Sequence, residues 1–160
     1  MNLRIMHYEL NVSNVTSMLE MFYRAESFNQ NISNWNTSNV KTMNSMFANA
    51  KGFNQPIGSW DVSNVTNMNW MFLEAESFEQ PILFEVNEKC YLKWMFKKTS
   101  SFINKFNEGN PLPEDSNDIK EWLNDNREKM NDLDLKDKHG EVLDNFFSKL
   151  PLLAINNKDR

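Results

Sequence analysis

The sequence predicts an α/β solenoid, a stack of coils each built from a strand, a turn and a short helix, and three observations predict it. Ser13-Asn14-Val15, Ser38-Asn39-Val40 and Ser63-Asn64-Val65 recur at a step of 25 residues, and Met18, Met43 and Met68, the pairs Met21-Phe22, Met46-Phe47 and Met71-Phe72, and Phe28, Phe53 and Phe78 keep the same step. A period between roughly 20 and 50 residues marks stacked units, none able to bury its apolar face alone. Within each unit the apolar spacing switches from 2 to 3.6. After Asn110 the period stops and a helical pattern replaces it.

The third unit is the clearest. Trp60-Asp61-Val62 alternates apolar and polar, as a strand with one buried face does. Met68, Met71, Phe72 and Ala75 then stand at i, i+3, i+4 and i+7, the stripe of a two-turn helix. Ser63-Asn64 lies where the chain must turn, and Asn14, Asn39 and Asn64 predict a ladder that satisfies turn backbone from coil to coil. Phe22, Phe47, Phe72 and Phe96 predict an aromatic column down the core.

The domain division follows from the decay of this pattern. Residues 1–110 form the array, with units at 10–34, 35–59, 60–83 and 84–106. Met1 to Glu9 carries no recognisable cap: either a strand around Leu3-Arg4-Ile5 covers the open end, or the chain is a fragment of a longer array. In the fourth unit Phe84 replaces Trp60, and one residue is lost between Ile82 and Phe84. Either Lys89 or Cys90 takes the place of Val65, and the sequence leaves that choice open. Residues 111–160 predict a helical C-terminal cap. Asp115-Ser116 offers N-cap residues ahead of Ile119, Trp122 and Leu123, and a second helix follows Gly140 through Val142, Leu143, Phe146, Phe147 and Leu150 to Pro151.

A formal net charge of −5 argues against general binding to nucleic-acid phosphates. Residues 111–160 hold 8 Lys+Arg against 12 Asp+Glu, and residues 1–110 hold 9 against 10, so the array itself is nearly neutral. The single cysteine, Cys90, implies no internal disulfide and reads as a small buried filler. No apolar segment reaches the length of a membrane span, and the N-terminus lacks a secretory h-region, which predicts a soluble intracellular chain.

Chemistry is sparse. His7 and His139 stand far apart, one Cys and two distant His supply no zinc set, and the four glycines form no phosphate loop. The sequence predicts no enzyme and no cofactor. Asp61 and Glu85, in one column with Asn11 and Asn36, read as solvated surface before they read as a cation site. Lys89, Lys93 and Lys97 at i, i+4 and i+8 read as a solvated helix face before they read as an anion-docking stripe. The five Asn-x-Ser/Thr sequons follow from a repeat rich in those residues.

The run Trp60-Asp61-Val62-Ser63-Asn64-Val65-Thr66-Asn67-Met68, followed by Met71-Phe72, Ala75 and Phe78-Glu79-Gln80-Pro81-Ile82, resembles the BspA-like leucine-rich repeat and, more narrowly, its mycoplasma-type surface-lipoprotein variant, over about residues 10–106. The resemblance implies a leucine-rich-repeat-like array, no catalysis, and surface or secreted relatives thought to adhere to host proteins. The chain departs from that pattern in having few units, no signal sequence and a helical C-terminal segment.

Together these readings predict a non-catalytic, adhesion-type module that binds a protein or polymer through its strand face, with Asn11, Ser33, Asn34, Asn36, Gly58, Ser59, Asp61 and Glu85 as the contact residues. The alternative is a truncated structural remnant of a larger repeat protein, with no partner of its own. Pairing of the uncovered N-terminal edge with another chain is a further expectation.

Overall fold

The structure, a computed structural model, describes residues 10–156, and of 141–147 and 150–156 the backbone alone. The N-terminal strand expected around Leu3 and the side chains of the second C-terminal helix lie outside what it describes.

Each coil opens on an Asx turn. The Oδ1 atoms of Asn11, Asn36 and Asp61 accept the N–H of Ser13, Ser38 and Ser63 at 3.0–3.1 Å and the same serine's hydroxyl at 2.6 Å. Asn and Asp make such turns because their short side chains mimic a backbone carbonyl two residues on. The N–H groups of Val15, Val40 and Val65 then close onto the carbonyls of Val12, Thr37 and Val62. One residue per coil, Ser17, Thr42, Asn67 and Tyr91 in turn, forms a single parallel bridge to the next.

From that bridge onward the expected secondary structure does not form. The α/β solenoid is overturned: among the described residues there is no strand, and the two helices both follow Thr99. Trp60-Asp61-Val62 is not a strand, because its residues enter a turn instead of pairing with the neighbouring coil. Met68–Ala75 is not a helix. Trp70 and Glu74 adopt φ of 56° and 54°, and Glu20, Arg24, Ser45, Asn49, Trp94 and Lys98 do the same at the matching places. A left-handed residue every four positions breaks the α ladder and makes two consecutive turns, Met71 N–H to Met68 O and Leu73 N–H to Trp70 O. Met68, Met71, Phe72 and Ala75 are all buried, as their spacing requires, but successive turns bring them to one side.

The N–H groups released from the helix bond between coils. Met18, Glu20, Phe22 and Arg24 donate to the carbonyls of Thr42, Asn44, Met46 and Ala48, and the pattern repeats from Met43, Ser45, Phe47 and Asn49 to Asn67, Asn69, Met71 and Leu73. In the peptide unit joining Asn44 to Ser45, the C=O therefore faces the preceding coil and the N–H the following one.

The core holds two columns of nearly parallel rings. Phe22, Phe47, Phe72 and Phe96 stack with centroids 5.6, 5.7 and 5.8 Å apart, beside Phe28, Phe53, Phe78 and Phe102 at 5.7, 6.0 and 6.1 Å. The two columns touch within each coil, as in Phe47–Phe53 at 4.0 Å. Burying each ring contributes roughly 1.5–3 kcal/mol before entropy is counted.

The fourth coil ends differently. Phe102, Ile103 and Phe106 lie on helix α1 (Ser100–Asn107), which the sequence analysis did not anticipate. A strap over 111–115 leads into α2 (Ser116–Asn156), which starts where Asp115-Ser116 indicated and breaks at Gly140, where φ is 42° and ψ −127°. Its second part stays helical past Pro151 to Asn156 instead of ending at that proline. The cap closes the last coil with real bonds: Leu92 N–H donates to Ser116 Oγ at 2.8 Å, and Trp94 N–H to Glu114 O at 2.9 Å. Ile119, Leu123 and Met130 complete the core, and Lys105 of α1 lies 3.7 Å from Asp134 and 2.8 Å from Asp137 of α2.

Candidate functional site

The Asx turns place Asn11, Asn36 and Asp61 in one exposed column, one coil apart. Parallel backbones at a single bridge stand about 4.8 Å apart, so the three side chains are close neighbours along the stack. In each, Oδ1 is spent on the turn, while Nδ2 of Asn11 and of Asn36 and Oδ2 of Asp61 make no hydrogen bond among the described residues, and all three residues are exposed. The hydroxyl and amide of Ser63 hold the Asp61 carboxyl below its ordinary 3.8, so the third of these groups is an anion at neutral pH.

A second ladder fixes this column from behind. Asn39 Nδ2 donates to Ser13 O and Asn64 Nδ2 to Ser38 O, both at 2.7 Å. A cavity of about 290 Å³ opens beside the column, lined among others by Leu10, Asn11, Asn34, Trp35 and Asn36.

The remaining residues of the expected face divide. Ser33 and Asn34 occupy the turn that Trp35 closes onto Ile32 O, and Gly58 and Ser59 occupy the equivalent turn one coil later, closed by Trp60. Gly58 is explained by packing: a Cβ there would stand 2.9 Å from Pro81 O. Glu85 does not continue the column. Its carboxylate lies 4.0 Å from Arg127 of α2, and the Asx turn of the fourth coil is made by Asn87, whose Oδ1 accepts the Lys89 N–H at 2.8 Å.

Cys90, not Lys89, takes the place of Val65. It is buried, and its N–H closes onto Asn87 O as that of Val65 closes onto Val62 O. Burial pushes its thiol up to about 11, against the opposing pull of Lys120 and a backbone hydrogen bond from Met68. The sulfur is therefore a protonated thiol at neutral pH and a poor nucleophile.

The basic stripe also changes character. Without a helix, Lys89 lies apart from Lys93 and Lys97, which sit over the Trp94 ring at 4.4 and 5.4 Å. Trp94 packs against Trp70 with ring centroids 5.5 Å apart and planes tilted by 33°, and its Nε1 donates to Glu114 at 3.1 Å. Nothing in the sequence points to this arrangement, because the left-handed φ of both tryptophans has no signature in the residue type.

Among the described residues no group of three or more His, Cys, Asp and Glu is close enough to hold a metal, and no helix is long and apolar enough to cross a membrane. A family model described as "Mycoplasma protein of unknown function, DUF285" matches residues 2–109. That match covers more than half of the chain, which belongs to this family. Comparison with curated proteins and with solved structures gives no match.

Proposed function

We propose that this DUF285 chain is a non-catalytic interaction module of the adhesion type, and that Asn11, Asn36 and Asp61 are its contact column. One observation carries the reading: every residue of the column is locked by a turn, yet keeps one polar atom unbonded among the described residues. A fixed array of two amide donors and one carboxylate loses little side-chain entropy on binding, which favours recognition of an extended protein or polymer. The interior columns supply the rigidity, and the residue at this place changes from Asn36 to Asp61 between the second and third coils while the turn stays the same.

The test exchanges the unbonded groups without breaking the turns. Asn36→Asp and Asp61→Asn together keep both Oδ1 acceptors and invert the charge order of the column. The intact chain is screened by surface plasmon resonance against a panel of purified extracellular-matrix proteins and polysaccharides. Saturable binding that the double variant weakens, at unchanged melting temperature, supports the reading. Binding that ignores the exchange removes this column from consideration.

A further inference from the structure

The third and fourth coils carry side chains that the repeat does not require. Trp70 and Trp94 stand where the first two coils place Glu20 and Ser45, and Lys93, Lys97 and Lys98 stand where the third coil places Asn69, Leu73 and Glu74. The arc closes through the same turns in all four coils, so its geometry does not explain the change. None of the five belongs to the buried core.

Beside Trp94 a groove of about 300 Å³ opens between the fourth coil and the strap. Its apolar lining includes Trp94, Leu112 and Pro113, and its charged residues are Lys97, Lys98 and Glu114. That volume stands at the low end of small-ligand clefts, about 300–1,000 Å³. Both walls are built from described residues, at the capped end of the stack.

The charges narrow the ligand. Lys97 lies 3.4 Å from Glu114 and Lys98 3.1 Å from Glu74, while Lys93 has no carboxylate partner among the described residues and sits over the Trp94 ring at 4.4 Å. Three ammoniums against two carboxylates leave one positive charge in excess, in a chain of formal net charge −5. Both ion pairs are exposed and therefore weak, so a ligand carboxylate displaces them at little cost. Glu114 only accepts hydrogen bonds, and it already takes the Trp94 Nε1–H at 3.1 Å. A ligand beside it must bring hydroxyl donors, a carboxylate for the lysines and an apolar face for Leu112 and the indole. A fatty acid lacks the hydroxyls, and an acidic peptide lacks the flat C–H face. A uronic-acid ring has all three.

We propose that the groove beside Trp94 binds an acidic polysaccharide and seats one of its uronic-acid residues. The carboxylate meets Lys97 and Lys98, the hydroxyls donate to Glu114, and the C–H face packs on Trp94 and Leu112. Lys93 supplies the unpaired charge that draws the polymer to this face. The site shares no residue with the column of Asn11, Asn36 and Asp61, so it stands or falls apart from the function proposed above.

Isothermal titration calorimetry on the intact chain tests it with hyaluronan and polygalacturonate oligosaccharides. A chitin oligosaccharide serves as the neutral sugar and poly-glutamate as the acidic peptide. At least one acidic sugar should bind saturably, and the neutral sugar about tenfold more weakly or not at all. Lys97→Gln with Lys98→Gln should weaken that binding about tenfold at unchanged melting temperature, because both side chains are exposed. Trp94→Leu should weaken it as well, whereas Asn36→Asp with Asp61→Asn should leave it as it is. Failure of both acidic sugars to bind, equal binding of the neutral one, indifference to the lysine pair, or dependence on Asn36 and Asp61 overturns the inference. Equally tight binding of poly-glutamate overturns it too, and assigns the groove to an acidic protein segment.

Discussion

Asn87 joins the fourth coil to the third through a 2.8 Å bond from its Nδ2 to the Ser63 carbonyl, while its own Oδ1 holds the Lys89 N–H at 2.8 Å. In the third coil these two tasks belong to different residues, Asn64 for the bond to the preceding coil and Asp61 for the turn. Asn87→Ala should therefore cost about 2 kcal/mol, and Asn64→Ala about 1 kcal/mol, at one hydrogen bond each. Urea titrations followed by tryptophan fluorescence give both values, and equal costs would show that Asn87 does not carry both bonds.

The ring columns predict a gradient of sensitivity. Phe47 lies between Phe22 and Phe72, touches Phe53, and is fully buried, whereas Phe22 ends its column half-buried. Phe47→Ala should destabilise by about 3–5 kcal/mol and Phe22→Ala by clearly less. Calorimetry on the two variants decides this, and a Phe22 loss as large as that of Phe47 would contradict the stacking order.

Glu20 sits at φ 53° on an exposed turn, a conformation that glycine adopts without steric cost. Glu20→Gly should raise stability by about 0.5–1 kcal/mol, and Glu20→Val should lower it by about 1–2 kcal/mol. Guanidinium melts should rank the proteins glycine, glutamate, valine. The reverse ranking would mean that the arc is helical in solution.

The Asp61 carboxyl gives a pH signature. Its acidity is increased in the folded chain by the Ser63 hydroxyl and amide. A carboxyl lowered in this way contributes stability that is present above its unfolded value and is lost as pH falls through the folded one, here below 3.8. In a proton–nitrogen NMR titration the Ser63 amide should move with a midpoint under 3.8, and in Asp61→Asn it should stay still. A midpoint at or above that value would remove the turn bond.

The sequence made the positions legible and left the conformation hidden. Met68, Met71, Phe72 and Ala75 are buried as their spacing indicates, because burial sets which residues recur and both a helix and a pair of turns return to one side after three or four residues. The choice between them rests on backbone angles at Glu20, Arg24, Trp70, Glu74, Trp94 and Lys98, none of a type that favours a left-handed turn; only Ser45 and Asn49 hint at it. The candidate column is legible as Asn11, Asn36 and Asp61 at a fixed step, but alternation assigns it to a strand face, and the Asx turns that hold it rest on side-chain hydrogen bonds that spacing alone does not reveal. Glu85 was misplaced because Asn87, two residues later, had taken over the turn.

Coils bonded mainly through turns also decide how the molecule would look to optical methods. Among the described residues, helical ellipticity at 222 nm would come from α1 and α2, so a melt followed there would report the cap and pass over the coils. The parallel phenylalanine and tryptophan rings would instead give the folded array a near-ultraviolet spectrum that vanishes on unfolding. A sample judged by its far-ultraviolet trace would be mistaken for a largely unstructured chain with a helical tail.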